Sequence, residues 1–273
     1  MYPNKRVLSL GAGVQSSCLA LMNMHYPDEY FAYVEDYVFA DTMSEPASVY
    51  RNLSWLQDQA KETGNVTIHV VSAGNLRDDA LGKNPNKKAF NPIPVYVKKA
   101  NGKVSIGRRQ CTREFKLAPV IRKQRELIGL GYKQRRSKAH GTVTNILGIS
   151  YDEVFRVKDH RLEPFMTNEY PLIDMRMTRQ DCLDWQAERN YPVPPRSACT
   201  FCPFHSKDEW MEMKENDEES WQDAVLFDKE LREINPNEYL HSSCMPLDEV
   251  TFTTKESANQ LSLLEECEGM CGL

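Results

Sequence analysis

The sequence lacks any long apolar run. No stretch approaches the ~20 consecutive apolar residues that a membrane-spanning helix needs, and the N-terminal MYPNKRVLSLG leads into a strand-like segment without the apolar core or cleavage site of a signal peptide. We therefore expect a cytoplasmic protein with no membrane partner. In that compartment the eight cysteines should be thiols, metal ligands or redox groups rather than disulfides.

The composition also lacks the biases of collagen, coiled coils or disordered chains. With 41% hydrophobic and 27% charged residues, the 273-residue chain is typical of a globular protein. A chain of this length can bury a substantial core without covalent staples. There is no internal repeat, so we expect one large domain, or one domain with an appendage.

The net charge is −5, but the charged residues are distributed unevenly along the chain. Residues 98–138 contain fourteen Lys or Arg and two acids, whereas residues 205–273 contain eighteen acids and five bases. The basic stretch favours nucleic acid or a multiply phosphorylated ligand as a partner. A solvated helix face, balanced by the acidic tail, is the alternative. The basic side chains include Arg108, Arg109, Arg113, Lys116, Arg122, Lys123, Arg135 and Arg136.

Strand and helix patterns alternate along the first part of the chain. Residues 7–10, 33–40 and 66–71 are typical of strands, and a helix-compatible stretch at 16–24 follows the first. A second helix lies between the other two strands, with Ser44 as its cap and Gly64 as its stop. This order predicts a parallel sheet with right-handed crossovers. Later predictions are a hairpin around Asn101-Gly102, a helix at 117–130, a strand at 145–149, a helix opened by the capping box Thr178–Asp181, and acidic helices at 207–216 and 218–234.

A glycine-rich turn, which we call the glycine loop (residues 9–17), joins the first strand to the first helix. It reads Ser9-Leu-Gly11-Ala-Gly13-Val-Gln15-Ser16-Ser17. Backbone N–H groups of such a turn, together with the helix N-terminus, can surround a phosphate, and the hydroxyls add donors. The loop has neither the Gly-Lys-Ser/Thr of a Walker A motif nor the spacing of the dinucleotide fingerprint. A plain strand-to-helix turn is the structural alternative.

The glycine loop resembles the SGGxDS pyrophosphate loop of the adenine nucleotide alpha-hydrolase (PP-loop ATP pyrophosphatase) superfamily, in particular its phosphoadenosine phosphosulfate (PAPS) reductase-like branch. Asp41-Thr42 stands where that branch carries Asp-Thr-Gly, residues 148–156 resemble its Gly-x-Arg-x-x-Glu-Ser segment, and residues 170–181 resemble its Pro-Leu-x-Asp-Trp-Thr segment. Together these segments cover residues 5–205 in the right order.

The resemblance implies a Rossmann-like fold of the HUP type, an α/β fold in which helices flank a parallel central sheet. Residues 1–203 would form the PAPS reductase-like, adenine-nucleotide-binding domain, including a β-hairpin insertion at 92–110. Residues 204–273 would form an acidic helical C-terminal extension and tail.

The resemblance also implies ATP or another adenine nucleotide as the ligand, with Mg²⁺ as a further candidate. Asp41 and Gly148 would line the nucleoside pocket, and Arg156 would reach a phosphate. Gln15 departs from the family, which usually has an acidic residue there; its amide can donate a hydrogen bond but cannot ligate a cation as a carboxylate does. Nucleotide binding is therefore favoured over hydrolysis. The implied phosphate ligands are Ser9, Gly11, Gly13, Ser16 and Ser17.

Cys199-Thr-Phe-Cys202 forms a CxxC motif after a proline-rich passage, which suits a chelating turn. Iron–sulfur members of the branch combine such a motif with an upstream cysteine, and Cys111 stands 88 positions before Cys199. With Cys244 as a fourth thiolate, the set would hold a 4Fe-4S cluster; without it, a three-cysteine cluster would expose one iron to substrate or sulfide. The alternatives are zinc, held by Cys199, Cys202 and Cys244 with His205 or His241, and unligated thiols. Cys18 and Cys182 lie on apolar helix faces and are expected to be buried thiols.

Three functions remain open. The first is an enzyme that binds ATP, adenylates an acceptor or consumes the α–β linkage, and transfers sulfur through the iron–sulfur site, with nucleic acid as a candidate acceptor and a sulfur donor as a partner. The second is a PAPS/APS-type sulfonucleotide reductase, in which Cys271 of the C-terminal tail attacks the sulfonate sulfur and a thioredoxin-like reductant regenerates it. The third is a non-catalytic nucleotide or nucleic-acid binding module, which the loss of the acidic residue at Gln15 would suit.

Overall fold

The strands assemble into two sheets in the computed structural model, which describes residues 2–85, 91–131, 133–137, 139–157 and 163–252. Five parallel strands form the central sheet, in the order β3-β2-β1-β6-β7, and a small antiparallel sheet has the order β5-β4-β8. The strands are β1 (Lys5–Leu10), β2 (Asp36–Asp41), β3 (Thr67–Ser72), β4 (Tyr96–Lys98), β5 (Val104–Ile106), β6 (Val143–Ile146), β7 (Met166–Glu169) and β8 (Glu238–Tyr239).

Helices cover both faces of the central sheet and form the C-terminal region. None of the helices in the described part of the chain combines the length and apolar character that crossing a membrane requires. The α-helices are α1 (Val14–His25), α2 (Ala47–Thr63), α3 (Leu76–Ala80), α4 (Ala118–Leu127), α5 (Pro171–Asp174), α6 (Arg179–Ala187), α7 (Lys207–Asn216) and α8 (Glu218–Ile234). A π-helix (Thr112–Leu117) precedes α4, and 3₁₀ helices span Tyr151–Arg156 and Leu247–Glu249.

The core follows the alternation of side chains along the buried strands. Leu8 and Phe39 face the cluster that includes α1, whereas Val7 and Val38 face the cluster beneath α4. Strands covered on both faces read as nearly continuous apolar runs, as β1 and β2 do. This confirms the predicted α/β class with its parallel sheet, flanking helices, hairpin insertion and helical C-terminal region.

The hairpin insertion packs with the C-terminal region. Gly102 turns the hairpin with a φ of +77°, and β8 pairs with β4 in antiparallel register. A third cluster of buried residues lies here, in which the rings of Phe201 and Phe227 stack with centroids 3.9 Å apart. The CxxC segment therefore lies between the end of the central sheet and the acidic helices.

Local signals were right at some element ends and wrong at others. Thr178 and Asp181 form the predicted capping box, and Gly64 ends α2 in the left-handed region at φ +66°. The predicted Ser44 cap is wrong, because α2 starts later, behind Pro46, and the Ser44 hydroxyl instead donates to the Thr42 carbonyl at 3.4 Å. The helix predicted at 117–130 ends at Leu127 and is preceded by the π-helix.

Candidate nucleotide-binding site

The glycine loop lies at the point where the sheet changes direction. From β1 the chain first builds β2 and β3 on one side, and later β6 and β7 on the other. In open α/β sheets, ligands bind in the crevice beyond the carboxyl ends of the strands at such a switch point. The glycine loop follows β1, and Gly148 follows β6, so the two predicted segments flank this crevice.

The amino end of α1 is an uncapped, buried helix terminus. Gly13 is the N-cap residue, and neither a side-chain cap nor an acidic residue satisfies the first turn. Ala12 adopts a φ of +55°, which is uncommon for a residue with a Cβ, and its carbonyl accepts a hydrogen bond from Asn52 Nδ2 at 2.9 Å. Free N–H groups at a helix start favour an anion.

The loop hydroxyls make hydrogen bonds within the protein. Ser9 Oγ donates to Asn145 Oδ1 at 2.8 Å, Ser16 Oγ accepts from the Gly11 N–H at 3.2 Å, and Ser17 Oγ accepts from Asn52 Nδ2 at 3.0 Å. Residues 11–17 are all buried. A phosphate would therefore meet the backbone amides first, and the crevice would have to widen to admit it.

Gln15 links the two sides of the crevice. Its side chain is fully buried, and Nε2 donates to Ser150 Oγ at 3.4 Å and to Glu153 Oε2 at 3.3 Å. Glu153 also forms an ion pair with Arg156, with 2.6 Å between Oε1 and Nη1. Gln15 thus connects the glycine loop to the segment expected to reach a phosphate.

A small cavity opens beside the loop, between the sheet and the π-helix–α4 segment. It combines the apolar side of β2 with polar groups at the carboxyl end of the sheet. Ser9 and Gly11 are the predicted nucleotide ligands among its lining residues. The lining consists of Ser9, Leu10, Gly11, Val38, Phe39, Ala40, Glu45, Lys116, Val120 and Ser197.

A buried ion pair lies at the polar end of this cavity. Lys116 Nζ is 3.0 Å from Glu45 Oε1, with the two side chains 7% and 1% exposed. Thr42 Oγ1 donates to the same carboxylate oxygen at 3.2 Å and lies 3.4 Å from Cys199 Sγ. The nucleotide prediction left out Glu45, Lys116 and Ser197. The only local hint was an acid just after β2, because pairing with a lysine so far along the chain requires the fold.

Asp41 organises the turn after β2 rather than lining the cavity. Its Oδ1 accepts from the Met43 N–H at 2.7 Å and from the Tyr50 hydroxyl at 2.8 Å. Burial, followed by this hydrogen bond to Asp41, raises the pKa of Tyr50. The turn in turn contacts the CxxC segment, since the Thr200 N–H donates to the Ser44 carbonyl at 3.2 Å.

The four candidate metal ligands lie around the C-terminal region. Cys199 belongs to the apolar cluster there and the partly buried Cys111 packs against it. Burial together with the Cys202 and Cys244 thiols raises the pKa of Tyr96. Burial, reinforced by the Glu45 carboxylate, raises the pKa of Cys199 well above its usual value. Cys18 and Cys182 are fully buried on α1 and α6, as expected.

Asp228 holds the turn that carries Cys244. This buried carboxylate accepts from the Leu240 N–H and the Leu247 N–H, each at 3.1 Å. Between these two anchors Cys244 adopts a φ of +52°. Helix α8 therefore fixes the position of the fourth candidate thiol.

The histidines proposed for zinc are engaged in other contacts. His205 Nε2 lies 3.0 Å from the Cys199 carbonyl, and burial together with Arg196 lowers the pKa of His205 to about 3. His241 Nδ1 lies 2.8 Å from Ser243 Oγ. Across the described ranges, no three His, Cys, Asp or Glu side chains are grouped closely enough to hold a metal ion as they stand. The donor types suit an iron–sulfur or zinc centre.

Among the described residues of the basic stretch, most Lys and Arg side chains are exposed, whereas Lys116 is buried. Arg109 lies over the ring of Phe204, with 5.1 Å between the guanidinium carbon and the ring centroid. Cys271, the candidate nucleophile of a reductase, lies outside the described residues. The exposed bases that the structure describes between 98 and 136 are Lys98, Lys99, Lys103, Arg108, Arg113, Arg122, Lys133, Arg135 and Arg136.

Comparisons with known proteins add no family assignment. No protein-family model matches the chain, and no curated protein matches it.

Proposed function

We propose that this protein binds ATP or another adenine nucleotide in the crevice between the glycine loop and the Gly148–Arg156 segment. The observation that carries the proposal is the uncapped, buried amino end of α1 at the switch point of a parallel sheet. The phosphates would meet the backbone amides at the amino end of α1, and the nucleoside would extend into the cavity towards β2 and the Glu45–Lys116 pair. Mg²⁺ would accompany the phosphates rather than bind Gln15.

The reaction that we propose is adenylation-coupled sulfur transfer. Attack of an acceptor oxygen on the α-phosphorus of ATP would release pyrophosphate and convert that oxygen into a good leaving group for a sulfur nucleophile. Because Lys116 is paired with Glu45 at 3.0 Å, the amides at the amino end of α1 rather than this lysine would stabilise negative charge that develops on the phosphates. The exposed bases of residues 98–136 suit a nucleic-acid acceptor.

A 4Fe-4S cluster is part of the proposal as a sulfur-handling group. Cys111, Cys199, Cys202 and Cys244 would hold it, and a bound cluster would supply or relay sulfur. Burial raises the pKa values of Cys199 and Cys244, so these thiols stay protonated until a metal displaces the proton. Ligation would also require the Cys199 thiol to leave its contacts with Thr42 and Glu45.

The proposal is tested by nucleotide titration and product analysis. We expect isothermal titration to detect ATP binding, and pyrophosphate to form only when an acceptor such as tRNA or DNA is added. Binding without pyrophosphate formation for any acceptor would favour the non-catalytic module. Release of sulfite from a sulfonucleotide, abolished by Cys271→Ser, would favour the reductase.

A further inference from the structure

The carboxylate of Glu45 is only half satisfied. Oε1 accepts from Lys116 Nζ at 3.0 Å and from Thr42 Oγ1 at 3.2 Å. Oε2 is buried and has no hydrogen-bond partner among the described residues. A buried acceptor without a donor is destabilising, so Oε2 calls for a donor that the described residues do not supply, either a water or a group of a ligand.

The chemistry of the missing partner is restricted by charge. A phosphate oxygen would be repelled by the carboxylate, and the positive charge that Glu45 needs is already supplied by Lys116. The partner should therefore be a neutral donor, either a hydroxyl or an amine. Because Gly11 and Glu45 line one small cavity, the ligand group near Glu45 must be close to the phosphates along the nucleotide. In a nucleotide that group is the ribose.

We propose that Glu45 Oε2 accepts a hydrogen bond from a ribose hydroxyl and so selects ribonucleotides over deoxyribonucleotides. This specificity role rests on the proposed nucleotide function. In the dinucleotide-binding folds, a carboxylate about 20 residues after the glycine-rich turn hydrogen-bonds the ribose 2′-hydroxyl. A site built around a substrate hydroxyl rejects the analogue that lacks it, because the buried acceptor is then left unpaired.

The test compares four nucleotides by isothermal titration: ATP, 2′-deoxy-ATP, 3′-deoxy-ATP and ITP. The full chain should bind ATP at least about tenfold more tightly than one of the two deoxy analogues. Glu45→Leu combined with Lys116→Met removes the pair without leaving a buried charge, which proteins often tolerate. In this double variant the ribose preference should shrink to within about twofold, whatever happens to overall ATP affinity.

A matched control is Glu114→Gln, which changes an exposed glutamate on the same π-helix and should keep the full preference. Thermal melting shows whether each variant is folded. If the double variant does not fold, the affinity ratios of the wild-type protein alone show whether the site distinguishes ATP from its deoxy analogues.

Equal affinity of the wild-type protein for ATP and both deoxy analogues would overturn the Glu45 assignment alone. Loss in the double variant of a preference for ATP over ITP, with the ribose preference intact, would overturn it in favour of the base amine. No binding of any nucleotide by the wild-type protein would overturn the proposed function and this inference together.

Discussion

The Gln15 amide nitrogen lies 3.3 Å from Glu153 Oε2 and so joins the glycine loop to the segment after β6. Because Glu153 is already paired with Arg156, a neutral donor at position 15 completes the arrangement without adding charge. An acid at position 15 would place two carboxylates side by side. A neutral side chain at position 15 is therefore matched to its surroundings.

Replacing Gln15 with Glu should destabilise the protein at neutral pH. Two carboxylates in this buried setting repel each other and raise the pKa of at least one of them. We expect a loss of about 1 to 3 kcal/mol in the free energy of unfolding at pH 7, measured with urea. The loss should be smaller at pH 5, where the raised pKa allows one carboxyl to be protonated.

Gln15→Met is the control for this change, because it removes the same hydrogen bonds without adding charge. Its loss of stability should be independent of pH between 5 and 7. Equal stability of Gln15→Glu and the wild type at pH 7 would show that the two side chains do not face each other.

Asp36 should make the central sheet sensitive to acid. Burial opposes its ionisation, but hydrogen bonds from His69 at 2.8 Å and Lys5 at 2.9 Å outweigh burial and hold the pKa of Asp36 below its usual value. A lowered folded pKa stabilises the protein above the unfolded value of about 3.9, and this stability is lost as pH falls through the folded value.

Asp36→Asn should therefore cost about 1 kcal/mol at pH 7 and pH 5, allowing for solvent screening. The difference from wild type should shrink below about pH 4. The exposed neighbour Glu35, which also contacts Lys5 at 2.9 Å, provides the control: Glu35→Gln should have a smaller effect throughout. Urea unfolding across this pH range measures both, and a constant Asp36→Asn penalty down to pH 3 would contradict the assignment.

Asp228→Asn should loosen the turn that carries Cys244. The carboxylate receives two backbone N–H groups and Arg232 Nε at 2.9 Å, and an amide cannot accept all three. We expect a loss of about 2 kcal/mol in stability and faster reaction of Cys244 with a thiol reagent in the native protein, followed by peptide mapping. Glu233→Gln, an exposed change on the same helix, should alter neither. Unchanged Cys244 reactivity in Asp228→Asn would rule out the positioning role.

Metal analysis of the purified protein distinguishes an iron–sulfur cluster from a zinc site. Anaerobically purified protein should contain iron and acid-labile sulfide, and Cys202→Ser should lower both. Cys182→Ala, a buried change on α6 at a cysteine outside the candidate ligand set, should retain the metal if it remains folded. Stoichiometric zinc without sulfide would contradict the cluster, and metal-free protein with normal ATP binding would leave the cysteines as unligated thiols.

The sequence predicted the strands, helices and element ends that depend on local residue patterns. The alternation of apolar strands and helices predicted β1 to β3 and their parallel order, and the Thr178–Asp181 box and Gly64 marked element ends. The π-helix was missed because its side-chain pattern hardly differs from that of an α-helix. Ser44 was a plausible cap, but Pro46 at the helix start placed the first turn beyond its reach.

The sequence predicted those residues of the candidate site that lie next to one another along the chain. The glycine loop is one contiguous segment, so its glycines and hydroxyls could be read directly. The Glu45–Lys116 pair and the Gln15–Glu153 contact join distant positions, and no periodicity carries such information. The hydroxyls of Ser9, Ser16 and Ser17 were assigned to phosphate on local grounds, and their role as phosphate ligands stays a prediction.

The central claim is that one nucleotide lies across the crevice between the glycine loop and Gly148. Its most direct test is a crystal structure of the protein with a non-hydrolysable ATP analogue. We expect phosphate density within hydrogen-bonding distance of the amides of residues 11–17, with the ribose next to Glu45. Nucleotide bound elsewhere, or an empty crevice at saturating analogue, would contradict the account.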